Sequence, residues 1–210
     1  LAGHSLNALG VASSNAVGFT SSDQGVQREK LERGAMMLRT SDCHIRLGHF
    51  EWINQYQSDL LPEFTQKCIE WHYPECLENE SPILSFATKV IQNTAVMIAK
   101  WQLVGFAHGV MNTDNLNITG STLDFGPYGF MERFRPNWIN NHSDHHGRYT
   151  YQQQPSIGHW NLWNWLNNLV PLCPEGVEKE QWKEQLAQCL EHYEPTFLEY
   201  YKLGLNHKMG

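Results

Sequence analysis

From Pro82 to Gln102 the chain carries Ile83, Phe86, Ala87, Val90, Ile91, Thr94, Ile98 and Trp101 at mostly three- and four-residue spacing. That period gathers them on one broad stripe and predicts a long, largely buried helix, which other elements have to cover. The helix feeds directly into the polar loop His108-Gly-Val-Met-Asn-Thr-Asp-Asn115, and Leu123-Asp-Phe-Gly126 follows shortly after. Polar loops carried on rigid helices are where sites concentrate.

Around this helix the remaining pattern is mostly helical. Phe50, Ile53, Tyr56, Leu60, Leu61, Phe64, Cys68 and Trp71 keep helical periods and predict a helix over 50–73 broken only at Pro62. A Trp-rich helix is expected over 157–172, stopped by Pro171 and Pro174, and a final helix over about 178–203. Residues 3–17 read as a helix, whereas Ala35–Thr40 reads as one strand of a small hairpin turned at Arg33-Gly34. With a hydrophobic fraction of 41% and 8 Trp, 8 Tyr and 9 Phe, the chain can pack one full core.

The net charge of −7, with no basic run, speaks against nucleic acid as a partner, because phosphate contacts need clustered Lys and Arg. No apolar stretch is long enough for a membrane span, and no signal peptide is visible. Five cysteines without a Cys-x-x-Cys pair favour reduced thiols and a cytoplasmic setting. The His142, His145 and His146 group reads as a solvated loop rather than a metal clip.

Asp114, Asn115 and Asp124 are the oxygen donors that a hard divalent cation prefers. Protein kinases use a His-Arg-Asp loop, an Asn four residues beyond it and a later Asp-Phe-Gly to position a nucleophile and hold magnesium. Here the loop reads His-Gly, Asn115 follows Asp114 directly and Asp124 comes ten residues later, a contracted version of that order. By themselves the residues leave a bland reading open: Asn-Thr-Asp-Asn suits a turn, Asp124 a helix cap, and Arg39 or Arg46 a solvated ion pair.

The longer strings Gly105-Phe-Ala-His-Gly-Val-Met-Asn-Thr-Asp-Asn115 and Leu123-Asp-Phe-Gly-Pro-Tyr-Gly-Phe130 resemble the selenoprotein O family of kinase-like protein adenylyltransferases. The resemblance extends to Gly34-Ala-Met-Met-Leu-Arg39, His44-Ile-Arg-Leu-Gly-His-Phe-Glu51 and the segment from Tyr151 to Leu162, and so spans nearly the whole chain. It implies a mainly α chain with a small β hairpin, forming the C-terminal lobe of a protein-kinase-like fold. Residues 1–50 would be a remnant of the N-lobe and the inter-lobe segment, and 51–210 the helical C-lobe with active-site loops at 105–130.

The implied activity is magnesium-dependent transfer of AMP from ATP to hydroxyl side chains of proteins, with manganese as a second candidate cation. Asp114 matches the family's proposed base, Asn115 and Asp124 its metal pair, and Arg39 and Arg46 the arginines that hold phosphates. His108 is expected to orient the loop, and Tyr149–Trp160 to pack beneath it. A kinase-like site also needs a glycine-rich strand pair and a Lys–Glu pair from an upper lobe, and neither is found, so the chain reads as an inactive fragment of a protein roughly twice its length. A protein phosphotransferase or a non-catalytic pseudokinase scaffold are the alternatives. The target protein, its hydroxyl, the oligomeric state and any redox control are not legible.

Overall fold

A computed structural model describes residues 1–27 and 30–210. Its elements are α1 (Ala2–Ala8), β1 (Asn15–Gln27), β2 (Leu31–Thr40), α2 (Leu47–Tyr56), α3 (Leu61–His72), α4 (Pro82–Val104), β3 (Phe106–Ala107), β4 (Gly129–Phe130), α5 (Gln154–Asn167), α6 (Lys179–Leu190) and α7 (Tyr193–Met209). The chain is mainly helical with a small antiparallel hairpin, as the sequence pattern implies.

The expected buried helix is α4. Phe86, Val90, Ile91, Ala95, Ile98 and Trp101 are all fully buried, and α3, α5, α6 and α7 pack against them. Pro82 opens the helix, where its missing N–H costs nothing, and Gly105 closes it in the left-handed conformation (φ 67°), its N–H bonded to the Trp101 carbonyl. The chain then enters β3, which pairs with β4 at Phe106↔Phe130 and Ala107↔Gly129. This short pairing sets the loops containing Asp114 and Asp124 side by side at the end of α4. No helix among the described residues is long and apolar enough to cross a membrane.

Five expectations about the elements need correction. Residues 3–17 are not one helix: α1 ends at Ala8, Gly10 adopts φ 76°, and β1 begins at Asn15. Arg33 and Gly34 are not a turn but lie inside β2, which pairs with β1 from Asn15↔Thr40 to Gln27↔Leu31. Gly34 stands beside the register shift between Ser21 and Gly25, so the glycine marks a bulge. The helix expected over 50–73 breaks at Gln57 rather than Pro62, which sits in the first turn of α3. The final helix divides at Glu191–His192, because Pro195 in a continuous helix would meet the Glu191 carbonyl; as the third residue of α7 its missing N–H is harmless. The Trp-rich helix itself begins earlier than expected, at Gln154, and ends at Asn167.

Candidate active site

Backbone pairing of distant segments builds the site. Leu47 N–H donates to the Leu116 carbonyl (3.0 Å) and Ile118 N–H to the Ile45 carbonyl (3.1 Å), which lays Arg46 against the loop after Asp114. Thr122 N–H donates to the Ala12 carbonyl (2.8 Å) and Ser14 N–H to the Thr122 carbonyl (3.0 Å), tying the foot of the hairpin to the segment before Asp124. As a result β2 delivers Arg39 to Asp124, with Arg39 Nη2 2.6 Å from Asp124 Oδ1. Arg46 Nη2 pairs with Asp124 Oδ2. Each arginine thus takes one oxygen of a single, largely shielded carboxylate. Asp124 itself has φ 53°, the only non-glycine positive φ among the described residues, a strained conformation of the kind that persists at functional positions.

Asp114 and Asn115 lie on a 3₁₀ turn, Thr113–Asn115. The Asp114 carboxylate rests on the first turn of α2, so close to Gly48 that a Cβ there would collide with Asp114 Oδ1. Its neighbour His49 accepts a hydrogen bond from Arg46 N–H at Nδ1 (3.2 Å). Burial and the Arg46 guanidinium lower the His49 pKa below the usual histidine value, while Asp114 pulls it the other way. Asn115 is fixed through its amide nitrogen, which donates to the Val110 carbonyl (2.9 Å). Of the five expected site residues, Arg39, Arg46 and Asp124 therefore form one ion-paired cluster. Asp114 and Asn115 stand on the adjoining turn, and no hydrogen bond joins either of them to Asp124 among the described residues.

The loop backbone is held from beneath by buried polar side chains. His108 is fully buried, and desolvation lowers its pKa to about 4, so at neutral pH it is uncharged. A neutral ring satisfies both of its neighbours: Nε2–H donates to the Leu123 carbonyl (2.9 Å) and Nδ1 accepts from Val110 N–H (3.4 Å). His108 thereby braces the approach to Asp114 against the approach to Asp124, the orienting role expected of it. Gln154 completes the free side of β3, donating to the Phe106 carbonyl (3.0 Å) and accepting from His108 N–H (2.9 Å). Asn161 donates to the Met111 carbonyl (2.8 Å), and Asn141 to that of Gly109 (3.1 Å). Gly109, the departure from His-Arg, has φ 88°, and any Cβ there would strike the Pro127 carbonyl. Close approach of the two loops requires it.

Sequence reasoning did not single out Gln154 or Asn161. Their signal was present: Gln154, Gly158, Asn161 and Trp165 fall on one helical stripe, and all four are buried. A polar side chain on such a stripe needs a partner, and the loop carbonyls supply it.

Beside Asp124 lies a cavity of about 380 Å³, lined by Arg39, Ala16, Met37, Phe125 and Tyr128 among others. No three His, Cys, Asp or Glu side chains converge on a metal position among the described residues. The available donors are the Asp124 carboxylate and, with the Asn115 nitrogen committed to Val110, the Asn115 amide oxygen. Such a sparse, all-oxygen set suits a hard divalent cation that keeps some of its waters.

Two arginines gripping a carboxylate in a strained loop, next to an Asp-Asn turn at the end of a buried helix, make a site suited to a nucleotide's phosphates and a hard cation. Residues 1–210 match the family model described as Protein adenylyltransferase SelO, and the chain belongs to that family. Its relatives include proteins named Protein nucleotidyltransferase YdiU. The one from Marinomonas sp. (strain MWYL1) is 46% identical over 211 residues, covering 100% of this chain and 43% of the relative. That from Aliivibrio salmonicida (strain LFI1238) is 45% identical over 205 residues, covering 96% and 40%. A third, from Erwinia tasmaniensis, is 43% identical over 211 residues, covering 100% and 42%. The chain spans about two fifths of the length of the curated relatives it matches.

Proposed function

We propose that the protein containing this chain transfers AMP from ATP to Ser, Thr or Tyr hydroxyls of other proteins, and that 51–210 is the lower lobe of a kinase-like fold with 1–50 a remnant of the upper lobe and the segment between the lobes. The observation that carries the reading is the pair of arginines sharing Asp124. Without nucleotide the guanidinium groups neutralise the carboxylate. With nucleotide, Arg39 and Arg46 turn to the phosphates, for which their forked donors are shaped, and Asp124 is released toward a cation. Asn115 and Asp124 would hold magnesium, which supplies charge neutralisation for the phosphates.

Asp114 then orients the acceptor hydroxyl and takes its proton as the oxygen attacks the α-phosphorus, with pyrophosphate leaving. His108, Gln154 and Asn161 keep that carboxylate in place. The chain by itself has little or no activity in this reading, since it accounts for about two fifths of its relatives.

The test is magnesium-dependent incorporation of label from α-labelled ATP by the full-length protein. Asp124→Ala should lower it by at least about a hundredfold, and the isolated chain should incorporate next to nothing. Mass spectrometry separates AMP from phosphate on the acceptor. Phosphate addition would replace adenylyl transfer by phosphotransfer, and unchanged function of the Asp114→Ala and Asp124→Ala proteins would make the site a scaffold.

A further inference from the structure

Among the buried polar atoms of the described residues that no protein group hydrogen-bonds, three fall on one pair of packed helices: Thr94 Oγ1 on α4, and Asn161 Oδ1 and Trp165 Nε1 on α5. All three residues are fully buried. Folded proteins seldom leave such groups unbonded, so a cluster of them calls for a ligand. At one end of the contact Gly158 lets the helices approach so closely that a Cβ there would collide with Ile98. At the other end Trp165 meets Phe86 edge to face, with ring centroids 5.7 Å apart.

The two contacts make α4 and α5 antiparallel, and Phe86, Val90, Thr94 and Ile98 form one i, i+4 stripe of α4 along the line between them. Thr94 lies one turn before Ile98, and Asn161 just under one turn beyond Gly158, so the two stand level across the interface. Trp165, four residues after Asn161, is its neighbour on the same face of α5.

The chemistry of the three atoms defines what fits between them. The indole N–H only donates; the Asn161 oxygen only accepts, its nitrogen being committed to the Met111 carbonyl (2.8 Å); the Thr94 hydroxyl does either. All three are neutral, so a buried ion would lack a counter-charge. The close approach at Gly158 leaves space only for something very small.

We propose that one structural water is built into the α4–α5 interface, accepting from Trp165 Nε1–H, donating to Asn161 Oδ1 and sharing its third bond with Thr94 Oγ1. Three bonds are the usual complement of a buried water. With its oxygen held by the water, the Asn161 amide keeps its nitrogen turned to the Met111 carbonyl, which fixes the loop at that point to the helix pair. The assignment holds whichever group the protein transfers, because none of the three residues belongs to the Asp124 cluster.

A crystal structure of the full-length protein at a resolution that shows ordered solvent should place one water about 2.7–3.2 Å from all three atoms. A protein atom in that position, or an indole N–H donating directly to a protein acceptor, overturns the proposal. In solution the full-length protein is labelled with ¹⁵N-tryptophan, and the Trp165 indole signal is identified by its loss in Trp165→Phe. That signal should show a nuclear Overhauser cross-peak to water. The cross-peak should be lost in Thr94→Val, which keeps the shape of the side chain and removes the hydroxyl, and be retained in Thr94→Ser. Its absence from the parent protein, or its persistence unchanged in Thr94→Val, overturns the proposal. If Thr94→Val fails to fold, the crystal density and the parent protein's cross-peak decide by themselves.

Discussion

Around α4 the large side chains are enclosed by neighbours from four other helices, and Phe86, Ile91, Ile98 and Trp101 lose all contact with solvent. The β1–β2 hairpin is arranged in the opposite way. Phe19 is 82% exposed, Met36 74% and Leu38 65%, and the pairing Phe19↔Met37 against Thr20↔Met36 puts apolar residues on both faces. A lone two-stranded hairpin is marginal in water. This one is tied to the body at its foot, through the Ala12–Thr122 hydrogen bond and the Arg39–Asp124 pair. The body is thus stable by its own burial, while the element that supplies Arg39 presents two apolar faces without a cover in this chain. The site lies at the seam between them.

The sharpest way to break this contrast is to damage the body. Trp101→Ala should cost about 3–5 kcal/mol, because a fully buried ring is replaced by a cavity and Thr122 loses the indole donor at 2.9 Å. Chemical denaturation followed by circular dichroism measures it. A loss under about 1 kcal/mol would mean that α4 is not the centre of stability.

Acid should attack the same region with a slightly smaller effect. His108 has its pKa depressed to about 4 in the folded chain from 6.5, so its contribution is complete above pH 6.5 and is lost as pH falls toward 4. Across that window the unfolded chain binds a proton that the folded one refuses, and at about 1.4 kcal/mol per unit the total is on the order of 3 kcal/mol. His49, lowered in the same direction by burial and Arg46, adds to the slope with the same sign. Unfolding free energies of the parent and His108→Gln proteins, compared from pH 7 to pH 4, should converge as the pH drops. A constant gap between them would show that His108 titrates normally.

How much of this was legible in the sequence differs along the same seam. The period of α4 was unambiguous because the helix is buried along its length, and its end was marked by Gly105. One break was misplaced because Pro62 was weighed as a helix breaker, whereas it sits in the first turn of α3 where its missing N–H is free, and the break before α7 was missed because the apolar stripe from Trp182 to Tyr201 was read straight through Pro195. Gly34 looked like a turn because periodicity cannot tell a bulge from a hairpin tip. The candidate site residues came from family resemblance, since nothing local in Arg39 foretells a partner 85 positions away. That both arginines share one carboxylate was visible only in three dimensions.

A substitution at the seam separates site geometry from stability. Gly48→Ala forces the Asp114 carboxylate off the first turn of α2 and also presses on the Asp114 backbone nitrogen, 3.2 Å from the added Cβ. Its stability cost should be about 1 kcal/mol. If Asp114 receives the acceptor hydroxyl as proposed, label transfer by the full-length protein should nevertheless fall by about a hundredfold, because the displaced carboxylate no longer reaches that hydroxyl. Equal losses of stability and activity would instead place Gly48 among ordinary packing residues.

The smallest effect is the most discriminating for the comparison itself. In this chain Phe19→Ala and Met36→Ala remove side chains that water already surrounds, so each should change stability by less than about 0.5 kcal/mol. If further chain in a protein of its relatives' length covers the hairpin, the same substitutions there should each cost about 1–3 kcal/mol, the difference being apolar area buried only in the longer chain. They should also weaken nucleotide binding, because a loosened β2 no longer holds Arg39 at Asp124. Identical small effects in both contexts would mean that the hairpin stays bare in the whole protein, and that Arg39 is positioned by its bond to Asp124 rather than by the strand that carries it.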